Sequence, residues 1–511
     1  MALYEQNNVA AAARSDPFLG AMVAQELSVG DVAQRALNHL KSGRYLEAQS
    51  ICASLLQVEP GKADVLHIMA ASLHDAADYE LAREYIDRAI EAEPENPAQF
   101  RTKARILLEC DELEGALAAA TRAVDLAPTN PALLSAQADI CFERADYRAA
   151  VPLLRRAIAC NPGYVPAHMI MGNALAALAR FEESDASFQR SDALLPDQPQ
   201  NWVNRGLALM RAGALQRGLE AFEWRWKWKK LATRRPAIAA PRWQGETLPG
   251  GRILLWAEQG LGDTLQHVRY AAWLREHCGE VVLTGGERTW RLLSTAPGVD
   301  AMVTADSKSL DGEVFDAWVP AMSLPLILGT TVETIPDDVP YLTPPEATHP
   351  AISERLNVDG FKVGFAWTGN ADHRHNRHRS IPADALRPLV DMEGVAAFRL
   401  QRAVNSRNAY DDGALKLSDL EPDDGDLADA ASAVAGLDLV ITVDTSIAHL
   451  AGALGKPCWI LLSFASDYRW LTERDDSPWY PSVRLFRQPE PGDWRSVIEV
   501  VKDALVRELA A

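Results

Sequence analysis

Long hydrophobic runs are missing from this 511-residue sequence. No stretch reaches the roughly 18 consecutive apolar residues that a membrane-spanning helix needs, so no membrane insertion is expected. Paired cysteines are missing as well. Cys52, Cys110, Cys141, Cys160, Cys278 and Cys458 form no CxxC motif, and the expectation is a reduced, cytoplasmic protein without a disulfide or metal framework. Basic residues are in short supply: 51 Lys and Arg face 70 Asp and Glu, a net charge of −19. Binding a polyanion relies on Lys and Arg that neutralise phosphates, so nucleic acid is not expected as the main ligand. Residues 1–28 lack a basic start followed by an apolar block, which argues against a secretory signal. They read as a leader.

What the sequence does have is periodicity. Pro60, Pro94, Pro128, Pro162 and Pro196 recur every 34 residues, the period of helix-turn-helix repeats. With repeats starting at 29, 63, 97, 131, 165 and 199, the eighth position holds Ala36, Ala70, Ala104, Ala138, Gly172 and Gly206. The twentieth holds Ala48, Ala82, Ala116, Ala150, Ser184 and Gly218. Small side chains are needed where two helices approach most closely. Tyr45, Tyr79, Tyr147 and Phe181 fill the space between, and proline stops each second helix because it lacks an N–H and clashes with the preceding turn. Residues 29–230 are therefore read as about six repeats, and this region resembles the tetratricopeptide repeat family. The resemblance implies an α-solenoid whose concave face binds a protein segment; a spacer or dimerisation role is the alternative. An asparagine ladder like that of eukaryotic O-linked N-acetylglucosamine transferase is essentially absent: the sixth position reads Gln34, Ile68, Thr102, Ala136, Ile170 and Asn204. Apolar contacts to a helical partner fit better.

After Gly218 the sequence interleaves Trp224, Trp226 and Trp228 with Arg225, Lys227, Lys229 and Lys230. This reads as a packed seam with buried indoles and solvated cations. Residues 231–251, rich in Pro and Gly, read as a linker. From Arg252 apolar strands alternate with helical patterns, first over 252–345 and again over 346–511. Two βαβ series in tandem imply two Rossmann-like α/β domains facing a cleft, with ligands bound beyond the carboxyl ends of the strands.

Three polar loops lie at such ends. Gly260-Leu261-Gly262-Asp263 turns tightly out of a strand, and Asp263 sits where a helix begins. A helix cap is the bland role for that aspartate. Trp367-Thr368-Gly369-Asn370 precedes His373, Arg374, His375, Asn376, Arg377, His378 and Arg379, a local anion site in which Arg379 is suited to clasping phosphate. Zinc on His373, His375 and His378 is disfavoured by the arginines between them. Asp444, Thr445 and Ser446 open a helix directly after a strand, with His449 one turn on. Such a start offers free N–H groups to a pyrophosphate. Asp424-Gly425-Asp426 has a DxD appearance but lies in an acidic loop and reads as solvated.

The ordered set EQGLGD, WTGN…RSIP and TVDTSIAHLAGALGKP resembles the GT-B-fold glycosyltransferases related to bacterial heptosyltransferases. It is most similar to bacterial tetratricopeptide-repeat glycosyltransferases, some of which modify flagellin. Asn376 departs from the aspartate expected in that subfamily. The resemblance implies a nucleotide-sugar donor and no cofactor. It implies Asp263 as general base, with Gly260, Gly262, Thr368, Asn370, Arg379, Asp444, Thr445, Ser446 and His449 on the donor side and Gln401 near the nucleobase. It implies a metal-independent single displacement with inversion. It also implies a protein acceptor held by the repeats, flagellin being preferred and then a nonulosonic acid carried as its CMP derivative; CMP, UDP and other nucleotides stay open. The alternatives are a lipid-linked or polysaccharide acceptor, and a non-catalytic scaffold.

Overall fold

The computed structural model describes residues 28–229, 235–306, 310–346, 349–370, 376–401, 415–420, 422 and 425–510. The leader up to residue 27, Lys230, His373, Arg374, His375 and Asp424 lie outside them. Two compact units are present, Met1–Leu175 and Ala176–Ala511.

The first unit is built from helical hairpins: α1 (Val29–Lys41), α2 (Tyr45–Val58), α3 (Ala63–Asp75), α4 (Tyr79–Ala92), α5 (Pro97–Glu109), α6 (Leu113–Leu126), α7 (Pro131–Glu143) and α8 (Tyr147–Cys160). The unit boundary falls inside α9 (Val165–Ala177). Ser28 and Asp31 start the first helix with a reciprocal cap, each side chain accepting from the other's backbone N–H. Ala36, Ala48, Ala70, Ala82, Ala104, Ala116, Ala138 and Ala150 are all at most 1% exposed, so the small positions of the sequence are the helix contact points. Each repeat proline falls two residues beyond a helix end, as with Pro60 after Val58. The inter-helix turn carries a left-handed residue at the same place in every repeat: Gly43, Ala77, Asp111, Ala145, Ala179 and Gly213. Four of these six are not glycine, each at some conformational cost, which is why this regularity was invisible to a search for glycine.

The second unit begins with α10 (Phe181–Leu194), α11 (Pro199–Arg211) and α12 (Leu215–Phe222). A Cβ added to Gly218 would lie 2.7 Å from the Met210 nitrogen and 2.8 Å from the Gly206 carbonyl oxygen. Backbone cannot give way as a side chain can. Gly218→Ala is expected to lower stability by about 1–3 kcal/mol, read by chemical denaturation; an unchanged midpoint would contradict this tight crossing.

Past α12 the chain enters α/β structure: β1 (Leu248–Trp256), α13 (Leu261–His267), α14 (Ala271–Glu276), β2 (Cys278–Thr284), α15 (Glu287–Leu293), β3 (Ala301–Val303), β4 (Ala317–Pro320), α16 (Leu324–Ile327), α17 (Pro350–Leu356), β5 (Phe361–Ala366), α18 (Asn376–Arg379), α19 (Arg387–Val390), β6 (Val395–Arg399), β7 (Ser418–Asp419), α20 (Leu427–Ala435), β8 (Leu439–Val443), α21 (Ser446–Ala453), β9 (Cys458–Leu462), β10 (Val483–Arg487) and α22 (Trp494–Leu509). β1 starts inside the segment expected as linker. One sheet has the order β3-β2-β1-β4 and the other β10-β9-β8-β5-β6-β7, and every pairing is parallel. β8 and β9 are buried along their whole length, as parallel strands covered on both faces must be. From β5 the chain winds one way through β6 and β7, then returns to the other side of β5 for β8, β9 and β10. The switch point lies between β5 and β8, where doubly wound sheets bind ligands.

The tryptophan segment is a seam, with one correction. Trp226 packs edge-on against Trp318 of β4 at 5.7 Å, and Trp224 stacks on Trp202 at 5.2 Å. Lys227 lies over the Trp224 ring. Arg225, expected to be solvated, is 1% exposed and donates to both carboxylate oxygens of Glu258, at 2.9 and 2.6 Å. Burial overrides the usual preference of a cation because Glu258, Glu223 and Ser323 accept from its guanidinium. Among the described residues no helix is long and apolar enough to cross a membrane.

Candidate functional site

A cavity of about 880 Å³ opens at the carboxyl ends of β5 and β8 and is roofed by the loop that leaves β1. Gly260, Gly262, Asp263, Thr368, Asn370, Arg379, Asp444, Thr445, Ser446, His449 and Gln401 line it; Asn376, Arg377 and His378 of the expected anion cluster are not among its lining residues, and His373, Arg374 and His375 lie outside the described residues.

The loop after β1 is shaped by its glycines. Gln259 is left-handed at φ 66°, and Gly260 caps α13. Asp263 occupies the third position of that helix, where its Oδ2 accepts from the Gly260 N–H at 2.8 Å. The N-cap position weighed for Asp263 from sequence belongs to Gly260; Asp263 braces the helix start from the third position, which leaves Oδ1 directed elsewhere. Gly262 is required by packing: a Cβ there would lie 2.7 Å from His449 Cδ2. His449 Nδ1 meets the Tyr480 hydroxyl at 2.9 Å, and its ring stacks against Trp470 at 5.5 Å. Burial, helped by the nearby Arg469, pushes the imidazole well below its usual pKa. The same burial disfavours the charged imidazolium, so His449 is poorly suited to supply positive charge to a phosphate.

At the exit of β5, Asn376 does more than the missing aspartate implied. Its Oδ1 accepts from the Gly369 N–H at 3.0 Å and from Arg379 Nε at 3.1 Å, and its Nδ2 donates to Thr368 Oγ1 at 3.3 Å. A carboxylate there has no N–H and could only accept from the Thr368 hydroxyl instead. Arg379 Nη1 donates to the Asp444 carbonyl at 2.9 Å. The absence of a side chain at Gly369 leaves room for the guanidinium, whose Nη2 would stand 2.4 Å from a Cβ there. Gln401, expected near a nucleobase, spends its amide oxygen on the backbone N–H groups of Trp367 and Thr368, at 2.9 and 3.2 Å.

After β8, Thr445 caps α21 from an extended conformation and makes no side-chain cap bond. The N–H groups of Ser446 and Ile447 have no acceptor among the described residues. Ser446 and Ile447 both line the cavity. Asp444 is enclosed by protein but keeps part of its surface on the cavity. Burial first, and Asp467 second, push its carboxyl up to about 6, although Arg469 and Arg379 pull the other way. A carboxyl raised on folding binds its proton more tightly in the native state, so its contribution to stability is present below about pH 4 and is lost as pH rises through 6. Asp444→Asn is expected to gain on the wild type by about 1 kcal/mol between pH 5 and pH 8, measured by urea denaturation at both values. A gap independent of pH would contradict the assignment.

Sequence reasoning missed Arg469 and Asp467, which follow β9 and line the same cavity. Arg469 contacts Asp263 directly. It also missed α20, whose start borders the cavity. Asp426, expected to be solvated, caps that helix by accepting from Ala428 and Asp429 N–H, and pairs with Arg291 of α15 at 3.1 Å. Among the described residues no three His, Cys, Asp or Glu side chains converge on a metal position.

Residues 39–106 match the tetratricopeptide repeat family. Among curated proteins, FlbA of Caulobacter vibrioides is 28% identical over 370 residues, covering 68% of this chain and 60% of that protein. The chain thus spans less than two thirds of that relative's length. An alignment of this size is longer than the 247 residues preceding β1, so the similarity extends into the α/β region. Solved structures similar to the chain include YrrB, titled a TPR protein with an unusual peptide-binding site, at 16% identity over 35% of this chain and 92% of that one, TM-score 0.28. PilF of Pseudomonas aeruginosa is 15% identical over 40% of this chain and 92% of that one, TM-score 0.34.

Proposed function

We propose that the protein is a GT-B glycosyltransferase that moves a sugar from a nucleotide-sugar donor to a Ser or Thr hydroxyl of a protein captured by its tetratricopeptide repeats. One observation carries this reading: a carboxylate, Asp263, borders the same 880 Å³ cavity as an uncapped helix start and a braced arginine. Cavities of this size hold drug- to nucleotide-sized ligands. The N–H groups of Ser446 and Ile447 and the Arg379 guanidinium receive the donor's phosphates.

Asp263 takes the proton of the acceptor hydroxyl. The oxygen attacks the anomeric carbon, a new C–O bond forms, and the bond from that carbon to the phosphate oxygen breaks. The nucleotide leaves with the electron pair, its charge stabilised by α21 and Arg379. A single displacement inverts the anomeric centre. Asn376 and Gln401 position this apparatus by fixing the loops that carry Thr368 and Arg379. Flagellin as acceptor, a nonulosonic acid carried on CMP as donor and a cytoplasmic location extend the same proposal. They rest on family resemblance, with the match of residues 39–106 supporting a protein partner.

A thermal-shift panel of CMP, UDP, GDP and ADP tests donor binding, because a ligand bound only by the native state raises the melting temperature. One of the four is expected to do so. No shift with any of them would count against a nucleotide-sugar site.

A further inference from the structure

Arg469 stands between the proposed base and the proposed phosphate site. Its Nη2 contacts Asp263 Oδ1, its Nη1 donates to Asp467 Oδ1 at 2.8 Å, and its Nε donates to Gln266 Oε1 at 2.5 Å. The side chain is 11% exposed and that of Asp263 17%, so the pair is partly shielded yet still borders the cavity. With Gly260 N–H on Oδ2 and Arg469 on Oδ1, both oxygens of Asp263 are engaged.

Arg379 is held differently. Among the described residues it donates to a carbonyl and an amide oxygen, and the Asp444 carboxyl interacts with its charge without a direct hydrogen bond. Arg469 by contrast is matched by Asp263 and Asp467, with Asp444 close enough to favour its charged form. A phosphate seated on α21 enters a cavity that both arginines line. It carries several oxygens arranged to meet a guanidinium fork, which a carboxylate sharing that fork with a second carboxylate matches less well.

We propose that Arg469 is a positioning residue exchanged between the base and the donor: it holds Asp263 in this structure, and the donor's phosphate draws it off, freeing Oδ1 for the acceptor hydroxyl. Donor binding thus precedes productive acceptor binding. This inference rests on the glycosyltransferase reading, in which Asp263 needs a free oxygen only once the donor is seated.

The consequence runs against the usual effect of mutating an active-site residue. Asp263 competes with the donor for Arg469, so removing its charge tightens donor binding. Calorimetric titration of CMP, UDP, GDP and ADP into the full chain is expected to show Asp263→Asn binding the preferred nucleotide about fivefold tighter than wild type. Arg469→Gln is expected to bind it more weakly, and the gain from Asp263→Asn should vanish in the Asp263→Asn/Arg469→Gln double variant. A merely structural role for Arg469 would not tighten anything. Wild type that binds a nucleotide while Asp263→Asn binds it no better overturns the exchange and leaves the glycosyltransferase reading standing. Wild type that binds none of the four overturns both.

Discussion

Asp263→Asn is expected to slow sugar transfer by about 10²–10⁴-fold, the range that a positioned general base supplies. The substitution is mild structurally. Asn keeps the side-chain length, and its amide oxygen can still accept from the Gly260 N–H, as Asp263 Oδ2 does at 2.8 Å. The cap on α13 therefore survives, and with it the loop that roofs the cavity. What is lost is the ability to receive a proton from an acceptor hydroxyl. Single-turnover transfer, followed by intact mass, separates this from a binding defect, because nucleotide affinity is expected to rise in this variant. Turnover close to wild type would remove Asp263 as the base, whatever the cleft binds.

The largest stability effect is expected at Arg225. Its guanidinium is 1% exposed, and Glu258, which it grips with two bonds, is 8% exposed. It also donates to Glu223 at 2.6 Å and to Ser323 at 2.7 Å. Burial works against the Arg225 charge, and the two carboxylates outweigh it. Arg225→Leu leaves the buried Glu258 without its cation, while Glu223 keeps Arg242, and about 3–5 kcal/mol of stability should be lost. The double change Arg225→Leu/Glu258→Leu should recover a large part of that loss, since the penalty comes from the stranded charge more than from the missing contact. Urea denaturation of both variants checks this. A loss below about 1 kcal/mol for the single change would show that solvent reaches the pair.

Much of the helical half was legible because packing imposes a rule on sequence. Two helices can approach closely only over small side chains, so the Ala, Gly and Ser residues at positions eight and twenty of the repeats announced the contacts that bury them. The left-handed turn residue was not legible, because Ala77, Asp111, Ala145 and Ala179 adopt it without the glycine that would mark it. In the α/β half, long apolar strands such as β8 and β9 stood out. β4 did not, being four residues long and ending in proline, and α20 was hidden behind an acidic stretch. The cavity-lining loops were found because glycines and polar residues at strand ends follow from how parallel sheets bind ligands. Arg469 left no such trace. A lone arginine in a loop after β9 has no period and no local motif, and its place beside Asp263, more than two hundred residues earlier, exists only once both sheets are folded. Arg225 misled for a related reason: beside Lys227 and Lys229 it read as one solvated cation among several, and only the tertiary fold brings Glu258 to it.

Mixing the purified chain with a nucleotide-sugar and a candidate acceptor protein, then weighing the intact acceptor, shows whether the cleft transfers a sugar to protein. A mass gain of one glycosyl residue, or a multiple of it, is expected with wild type and none within the same time with Asp263→Asn. An acceptor mass that stays unchanged across CMP-, UDP-, GDP- and ADP-linked sugars, or that rises equally with both proteins, would contradict it.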